Sequence, residues 1–521
     1  MPELIAQIAT SRPNEAALVD ETGTTTWAEL DDRTNRLING LRSIGVGPGS
    51  VVAAVLANTR EYFELFVAAA HGGFLVVPVN WHWVADELAF VLRDSGATVL
   101  FADARFVAVT VAALEEPGTT EGLSARIAVG QAMKGFVDYE AFLADADPGA
   151  PANQVVGGPM FYTSGTTGRP KGVRGTLLGD GSVPASLLSL LAGGFASSMG
   201  LPSPSVSLLD GPLYHSAQWA FSVFPLLGGS TIVMRHKFDP VETLRTIDEH
   251  GVTNLHLVPT QFVRLLRATV DAKRAFRGDT LRVVWHGAAP CPPEVKRSMI
   301  EWWGPKIVEY YGGTEGGIVS SASSEEWLAR PGTLGKPQAT MEVRIVDDAG
   351  TIQPTGTSGT IYLRSLMGMD FQYHGDAEKT AKAHLEPGVF TLGDIGYLDV
   401  DGYLYMSDRK IDMIISGGVN IYPAEIEGVL ITHPAVRDVA VIGVPNDEFG
   451  EEVKAIVELE DGPSGDDRLR ADLLALCRTK LAGYKVPRSL DFESTLPRTA
   501  TGKLQKRLVR DRYWLEAGRT I

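Results

Sequence analysis

The chain of 521 residues contains only two cysteines, Cys291 and Cys477. Two thiols cannot build a disulfide scaffold, and such low cysteine use is typical of a reducing compartment. The N-terminal residues, MPELIAQIATSRPNE, lack a basic start followed by an apolar core, so we expect no secretory signal peptide. These observations together predict a cytoplasmic protein.

Long hydrophobic runs and excess positive charge are also missing. The longest apolar stretch, residues 63–79, is interrupted by Glu64, His71, two glycines and a proline, whereas a membrane-spanning helix needs about 20 apolar residues. We therefore expect no integral membrane segment, although a peripheral visit to a membrane stays open. The net charge of −16 argues against a nucleic-acid-binding protein, which needs a cationic surface.

Helical and strand-like patterns alternate over the first 150 residues and again over residues 206–308. Residues 26–45 carry apolar side chains at helical spacing, and residues 51–56 form a short apolar, β-branched run. This alternation predicts layered α/β architecture with buried, largely parallel strands. After about Gly332, short β-rich runs joined by Gly-containing turns predict antiparallel hairpins.

The sequence predicts an α/β protein with two domains of unequal size. The large N-terminal domain, residues 1–408, would hold several subdomains, with layered α/β sheets and a β-rich part. A small α+β domain of ordinary size would follow at residues 413–521. Between Arg478 and Arg512 there are ten Lys or Arg residues and three Asp or Glu residues. This segment is either a solvated basic surface or a face that meets a polyphosphate.

The most specific motif is YTSGTTGRPKG at residues 162–172. Its glycines allow close approach of a ligand to the backbone, while hydroxyls and exposed N–H groups can surround phosphate oxygens. It is not a Walker P-loop, because Gly165 and Gly168 are too close together and Gly172 follows Lys171. The predicted phosphate-binding residues are Thr163, Ser164, Gly165, Thr166, Thr167, Gly168 and Lys171.

This motif resembles the phosphate loop of the adenylate-forming superfamily, which includes acyl-CoA synthetases, luciferases and the adenylation domains of peptide synthetases. Four more motifs follow in the family's order. HGAAP at residues 286–290 resembles the adenine-side loop, and YGGTEG at 311–316 resembles the Tyr-Gly-x-Thr-Glu element. TLGD at 391–394, with the Asp-Arg pair at 408–409, resembles the ribose-binding and hinge region. PRTATGK at 497–503 resembles the motif of the C-terminal catalytic lysine. The resemblance covers essentially the whole chain.

The resemblance implies that the chain activates a carboxylic acid with ATP as its acyl-AMP, releases pyrophosphate, and transfers the acyl group to coenzyme A. A carboxylate that attacks the α-phosphate is one anion approaching another, so positive charge and hydrogen-bond donors must stabilise the transition state. By the family's pattern, Lys503 bridges the two reacting anions, Glu315 holds Mg²⁺, Thr314 binds near the α-phosphate, and Tyr311 stacks on adenine. The implied catalytic residues are Lys503, Glu315, Thr163 and Lys171. Further implied nucleotide contacts are Gly287, Ala288, Ala289, Gly312, Asp394 and Arg409.

The family's second step requires a mobile small domain. In the family this domain swings about a hinge, here residues 409–412, which withdraws the lysine and presents a glycine loop to the thiol. The hinge position is Ile411, where relatives often have Asp or Lys, so the energetics of the hinge stay open. The implied residues on the coenzyme A side are Ser416, Gly417, Gly418 and Tyr422.

The acid is the least determined part of the prediction. The element at residues 212–219 resembles the family's gate to the acyl pocket, and the glycines of the YGGTEGG run project no side chain into the site. Small residues beside aromatic ones predict a roomy apolar pocket, suited to a medium-to-long fatty acid or a bulky cyclic or steroid-like acid. The alternative is that the glycines serve only backbone turns. The predicted pocket contacts are His215, Trp219, Trp285, Gly313 and Gly316.

Several alternatives stay open. Cys291 lies between two prolines near a predicted helix start, so it is either a thiol with a lowered pKa or a filler residue. The chain could load a carrier protein or be luciferase-like, although no carrier module follows residue 521. A kinase is opposed by the absence of a Walker pattern, and a non-catalytic nucleotide sensor by the presence of Glu315 and Lys503. Whether the chain forms a homodimer stays open.

Overall fold

The computed structural model describes residues 4–163, 170–175, 182–202, 205–409, 412–416, 419–446, 448–498 and 504–516. Within these ranges the chain folds into a large N-terminal part built from several sheets and a smaller C-terminal α+β part. The predicted fold class is therefore confirmed.

The first part of the chain builds a six-stranded parallel sheet in the order β7-β6-β5-β3-β4-β8. Its helices are α1 (Leu4–Ser11), α2 (Trp27–Ser43), α3 (Arg60–Gly72), α4 (Ala85–Ser95), α5 (Val107–Glu115) and α6 (Tyr139–Ala144). The strands up to residue 163 are β1 (Ala16–Asp20), β2 (Gly23–Thr26), β3 (Val51–Val55), β4 (Leu75–Pro78), β5 (Val99–Asp103), β6 (Ala125–Val129), β7 (Val137–Asp138), β8 (Gly158–Pro159) and β9 (Phe161–Thr163).

The second part builds a nine-stranded sheet in the order β17-β16-β15-β14-β13-β11-β12-β1-β2. Its strands from β15 to β1 are parallel, and the outer ones are antiparallel. Besides β1 and β2, its strands are β11 (Val206–Leu209), β12 (Thr231–Met234), β13 (Asn254–Leu257), β14 (Val283–His286), β15 (Ile307–Gly313), β16 (Gly317–Ala322) and β17 (Lys336–Pro337), whereas β10 (Lys171–Gly175) lies outside this sheet. The helices are α7 (Leu188–Ser198), α8 (Ser216–Leu227), α9 (Pro240–Glu249), α10 (Pro259–Leu266), α11 (Val270–Ala275), α12 (Pro293–Trp303) and α13 (Ser324–Ala329).

Two features explain how these elements form and pack. Helix α2 begins at a capping box, in which the Thr26 side chain accepts from the Glu29 N–H and the Glu29 carboxylate accepts from the Thr26 N–H.

Helix α3 is buried on every face from residue 62 to residue 72, because it contacts both β1 of the larger sheet and β4 of the smaller one. A continuous apolar core therefore joins the two sheets.

The β-rich region after residue 337 is antiparallel, as predicted. Its elements are β18 (Met341–Val346), β19 (Gly359–Ser365), β20 (Phe371–Tyr373), α14 (Ala377–Ala383), β21 (His384–Glu386), β22 (Val389–Leu398) and β23 (Leu404–Arg409). Strands β18-β19-β22-β21 form one sheet, which β23 joins by pairing with β22. Strand β20 instead pairs with β10, which pairs with β9. This small sheet carries the two described ends of the predicted phosphate-binding segment.

The C-terminal part has its own sheet and core. Its elements are β24 (Ile414–Ser416), β25 (Val419–Ile421), α15 (Pro423–Leu430), β26 (Val436–Asn446), β27 (Gly450–Leu459), α16 (Asp467–Lys480), β28 (Ser489–Glu493) and α17 (Lys506–Glu516). Strands β25-β24-β27-β26 are antiparallel, and β28 pairs parallel with β27. The side chains of Ile426, Val441 and Leu473 are buried in the core of this part. The hinge residue Ile411 lies outside the described residues, and the domain boundary at 408–413 stays a prediction.

None of the helices in the part of the chain that the structure describes combines the length and the apolar character needed to cross a bilayer.

Candidate active site

The phosphate side of the site is built on strands β9 and β10. These strands pair antiparallel, with Lys171 opposite Thr163. Burial lowers the pKa of Lys171, and the nearby carboxylates of Asp376 and Glu315 oppose that shift. The predicted phosphate-binding residues Ser164, Gly165, Thr166, Thr167 and Gly168 lie outside the described residues.

Glu315 lies in the loop between β15 and β16, facing the phosphate side. Its Oε1 atom accepts a hydrogen bond from the hydroxyl of Tyr373, at 3.1 Å. Tyr373 lies on β20, directly beside β10, so the small sheet brings Glu315, Lys171 and Tyr373 together. No sequence motif marks Tyr373, which was therefore missed.

Thr314 is joined to the start of helix α8. The hydroxyls of Thr314 and Ser216 are 2.9 Å apart, across 98 residues of sequence. Ser216 directly follows His215, the predicted gate residue, so this contact ties the predicted gate to the loop that carries Glu315. Ser216 was also missed, because an isolated serine at a helix start is typical of an ordinary helix cap.

The predicted adenine and ribose residues meet directly. The phenol of Tyr311, on β15, donates to Oδ2 of Asp394, on β22, at 2.8 Å. Both side chains are buried. In the pairing of β22 with β23, Asp394 lies opposite Arg409. The strand register thus brings three predicted nucleotide residues to one place.

The predicted adenine loop runs from Gly287 to Ala289 between β14 and α12. Ala288 has φ of +67°, a left-handed backbone conformation that is strained for any residue with a Cβ. A Cβ at Gly287 would lie 2.5 Å from Cε1 of Tyr310, so only glycine lets the loop pack on that ring. A buried ion pair lies beside this loop: Nζ of Lys296 is 2.6 Å from Oε2 of Glu309.

The environment of Cys291 excludes one of its two interpretations. Burial raises the pKa of the Cys291 thiol, the carboxylate of Glu309 raises it further, and the Lys296 ammonium only partly opposes this shift. The idea of a thiol activated at a helix start is therefore wrong, because burial and the Glu309 carboxylate both disfavour the thiolate.

Aromatic side chains pack on the face of β14 and β15 that is opposite to the Lys296–Glu309 ion pair. Phe221 lies 5.6 Å from the ring centroids of both Trp285 and Tyr310, and the Trp285 indole N–H donates to the carbonyl of Met199 at 3.1 Å. These residues, together with Val283, form one buried cluster. The predicted pocket residue Trp285 therefore belongs to an aromatic wall beside the adenine loop.

A buried polar network supports this wall. The Gln218 amide donates to Nδ1 of His256 at 3.0 Å, and Nε2 of His256 is 3.2 Å from the Tyr310 hydroxyl. Burial lowers the pKa of His256 to about 3, so its imidazole is neutral at pH 7. Because Nδ1 accepts, the proton of the neutral ring lies on Nε2 and is donated to Tyr310. The network fixes the position of the Tyr310 ring.

The other predicted pocket residues have different surroundings. Trp219 packs edge-on against Phe66 and Phe161, at centroid distances of 6.0 and 5.9 Å. The His215 ring lies 4.4 Å from that of Tyr214. Trp219 and Trp285 thus pack against different sets of aromatic rings.

Gly313 and Gly316, the two glycines among the predicted pocket contacts, do not face open space. A Cβ at Gly313 would lie 3.0 Å from Leu392, one at Gly316 would lie 3.2 Å from Phe390, and one at Gly312 would lie 2.0 Å from the carbonyl oxygen of Gly317. Gly317 has open space beside it, but its φ of +63° is a turn conformation that favours glycine. The argument for a roomy pocket from the glycines is therefore wrong, because close packing and the β15–β16 turn account for them. The aromatic wall is the remaining support for an apolar pocket.

The predicted coenzyme A side is only partly described. Ser416 lies on β24, opposite Val419 and Gly450, and Tyr422 precedes the first residue of α15. Gly417 and Gly418 lie outside the described residues, and so does Lys503. Among the residues that are described, no three or more His, Cys, Asp or Glu side chains are grouped so as to hold a metal ion.

Comparison with known proteins agrees with this geometry. Residues 5–370 match the family model of AMP-binding enzymes, and residues 425–503 match that of the AMP-binding enzyme C-terminal domain. The chain belongs to the AMP-binding enzyme family. The predicted membership in the adenylate-forming superfamily is confirmed, and so is the prediction of an AMP-forming acid–CoA ligase.

Relatives differ in the acid and the acceptor that their names state. Feruloyl-CoA synthase from Amycolatopsis sp. is 36% identical over 497 residues, which is 94% of each chain. Long-chain-fatty-acid–CoA ligase FadD13 from Mycobacterium tuberculosis is 31% identical over 520 residues, 98% of each chain. The solved structure of the amide bond synthetase McbA from Marinactinospora thermotolerans superposes with a TM-score of 0.81 at 28% identity, covering 98% of this chain and all of that one.

Proposed function

We propose that this AMP-binding enzyme activates a hydrophobic carboxylic acid as its acyl-AMP and then transfers the acyl group to coenzyme A. One observation carries the proposal. Tyr310 of the aromatic wall formed with Phe221 and Trp285 directly precedes Tyr311 of the Tyr311–Asp394 pair on β15, and the adenine loop packs on Tyr310 at Gly287. Aromatic side chains beside a nucleotide site suit an acid with an apolar body.

In the first step, a carboxylate oxygen attacks the α-phosphorus of ATP, and the bond to the bridging oxygen of pyrophosphate breaks. Lys171 and Thr163, with the rest of the phosphate-binding segment, would hold the phosphates. Lys503 would neutralise the two anions as they meet. Removal of water around such charges strengthens their interaction with the transition state.

Glu315 fits a role in holding Mg²⁺. Magnesium in nucleotide sites binds one or two carboxylates and completes its shell with phosphate oxygens and water, so a single carboxylate suffices. The Glu315 side chain is partly exposed, and Tyr373 occupies only one of its oxygens with the observed hydrogen bond. When bound, Mg²⁺ would supply positive charge to the phosphates, and Tyr373 would keep the Glu315 carboxylate in place.

In the second step, the thiol sulfur attacks the acyl carbon, the thiol proton passes to solvent, and AMP leaves. We propose that the small domain, residues 413–521, turns about residues 409–412 between the two steps. Ser416, Gly417, Gly418 and Tyr422 would then line the path of the thiol. The separate core of this domain supports such independent movement. We also propose a cytoplasmic location.

The acid and the acceptor are tested together. Purified enzyme is incubated with ATP, Mg²⁺, coenzyme A and a panel of acids from acetate to long-chain, aryl and steroid-like acids, and products are identified by mass. We expect thioesters of the larger apolar acids. A carrier protein and an amine are offered as competing acceptors, since a fatty acid–[acyl-carrier-protein] ligase, 30% identical, and the amide bond synthetase are also similar to this chain. Product on either of these acceptors but none on coenzyme A would refute the proposed second step.

A further inference from the structure

A buried ion pair between Lys296 and Glu309 lies beside the predicted adenine loop, residues 287–289. Lys296 lies in the first turns of α12 and is fully buried, and its Nζ atom is 2.6 Å from Oε2 of Glu309 on β15. The same ammonium lies 4.8 Å from the centroid of the Trp327 ring on α13. Lys296 therefore joins three elements behind the nucleotide side of the site.

Glu309 touches both ends of the loop. At the loop's start, Glu309 is the strand partner of His286 in the β14–β15 register. At the loop's end, its carboxylate binds Lys296, three residues after α12 begins at Pro293. Residues 287–292 are thus held between two points on one glutamate. Two residues further along β15 is Tyr311, which binds Asp394.

The loop held in this way is under strain and has an unsatisfied polar neighbour. Ala288 has a left-handed backbone. His286 is fully buried, and neither of its ring nitrogens has a hydrogen-bond partner in the described part of the chain. Its Nε2 atom lies 4.0 Å from Oε2 of Glu309, too far for a hydrogen bond. Burial and the Lys296 ammonium together lower the pKa of His286 far below its ordinary value, so the ring is neutral.

Stability alone does not explain a buried Lys–Glu pair. Replacing both members of such a pair by well-packed apolar side chains is often neutral or stabilising, whereas removing one member is strongly destabilising. Because such a pair is not needed for stability in general, and this one joins both ends of a strained loop, its place points to a role in geometry.

We infer that Lys296 is a positioning residue for the nucleotide: through Glu309 it sets the distance between the loop at residues 287–289 and Tyr311, between which adenine binds. The inference rests on the proposed placement of adenine between these elements. It requires no contact between Lys296 and the nucleotide.

The test compares the single variant Lys296→Met with the double variant Lys296→Met/Glu309→Met. We measure the thermal midpoint, the dissociation constant of AMP by calorimetry without any acid, and kcat and KM for ATP and for the acid. The single variant leaves a buried carboxylate unpaired, so its midpoint should fall. The double variant should regain most of the midpoint, while its AMP dissociation constant and KM for ATP stay at least roughly tenfold raised and the KM for the acid changes less than about threefold.

The Arg33–Glu64 pair provides a matched control. Its Glu64 is fully buried and its Arg33 is partly buried, with Arg33 Nε 2.6 Å from Glu64 Oε1, but it joins α2 to α3 in the N-terminal layers. The variant Arg33→Met/Glu64→Met should leave AMP binding within about twofold of wild type, whatever its midpoint. Recovery of AMP affinity together with the midpoint in the Lys296→Met/Glu309→Met variant would overturn the inference, as would equal loss in the control. Because AMP binding is measured without acid or thiol, a wrong acid or acceptor in the proposed function would not affect this result.

Discussion

The hydroxyl of Tyr311 donates a hydrogen bond to the carboxylate of Asp394 at 2.8 Å, linking strands β15 and β22 through two residues that are 83 positions apart in sequence. In the proposed site, the ring of Tyr311 stacks on adenine while Asp394 accepts from the ribose hydroxyls. The hydrogen bond would hold the carboxylate ready for the sugar. One side chain then serves both parts of the nucleoside.

The variant Tyr311→Phe separates these two contributions. It keeps the aromatic face and loses the hydrogen bond, which is worth about 1 kcal/mol, so the KM for ATP should rise roughly three- to tenfold with little change in kcat. Asp394→Ala should raise the KM for ATP further, because it also removes the ribose acceptor. Steady-state kinetics at saturating acid measure both, and an unchanged KM in Asp394→Ala would contradict the assignment.

Glu315 and Tyr373 should differ in how strongly they affect the metal requirement. Glu315→Gln weakens the proposed Mg²⁺ ligand, so the Mg²⁺ concentration for half-maximal rate should rise at least tenfold and activity should fall. Tyr373→Phe leaves the carboxylate but removes its hydrogen bond, so we expect a smaller rise, of roughly threefold. Titration of Mg²⁺ at fixed ATP provides the comparison. Identical Mg²⁺ curves for Glu315→Gln and wild type would exclude the metal role.

Lys503→Ala should impair one half-reaction and spare the other. Loss of one charge that stabilises the transition state costs about 3–4 kcal/mol, so acyl-AMP formation should slow by roughly 10²–10³. Thioester formation from supplied acyl-AMP should be nearly unchanged, because the proposed rotation removes this lysine before the second step. Lys480→Ala, an exposed lysine on α16 in the same basic segment, is the control and should affect neither. Equal losses in both half-reactions would contradict the division of roles.

We expect the stability of the folded protein to depend on pH through the buried carboxyl of Asp210, independently of catalysis. Burial raises the pKa of Asp210 to about 7; the hydroxyl of Thr243 and the cations Arg235 and Arg264 act against this shift, and Asp239 adds to it. The folded protein therefore keeps a proton that the unfolded chain, with an ordinary pKa of 3.8, releases. The contribution of the Asp210 carboxyl to the free energy of unfolding is fully present below about pH 4. It is lost as the pH rises to about 7.

The variant Asp210→Asn tests this dependence. The amide cannot ionise, so the variant should gain free energy of unfolding relative to wild type by up to about 1.4 kcal/mol per pH unit across that window. Denaturant unfolding at several pH values measures the difference. The control Asp271→Asn, at a side chain that is 96% exposed, should keep a constant difference from wild type. A constant difference for Asp210→Asn as well would show that the carboxyl does not titrate as predicted.

The sequence was sufficient for elements and motifs that depend on local pattern. The predicted helix at residues 26–45 forms as α2, and the predicted strand at residues 51–56 forms as β3, because amphipathic spacing and a buried β-branched run act locally. Tyr311 and Asp394 were predicted by resemblance to family motifs, yet their contact depends on how β15 and β22 approach each other. Tyr373 and Ser216 could not be predicted, because each acts through a partner that is distant in sequence.

The glycines of the YGGTEGG run show where inference from the sequence failed. Gly313 and Gly316 were taken as a sign of open space, but each faces a packed side chain of the β-rich region. A glycine in a sequence does not reveal whether the missing side chain leaves room for a ligand or for another part of the protein. Only the tertiary packing decides between these two roles.

Acid-dependent exchange between labelled pyrophosphate and ATP tests the central claim most directly. The enzyme is incubated with ATP, Mg²⁺ and labelled pyrophosphate, without a thiol, and each acid is added in turn. The account predicts label in ATP only when an acid is present. The rate constant for exchange divided by the KM for the acid should rise from acetate to larger apolar acids, because each buried methylene contributes about 0.8 kcal/mol until the pocket is full. Exchange that is independent of acid, or release of ADP in place of AMP, would contradict acyl-adenylate formation, and a steady decline from acetate upward would contradict the apolar pocket.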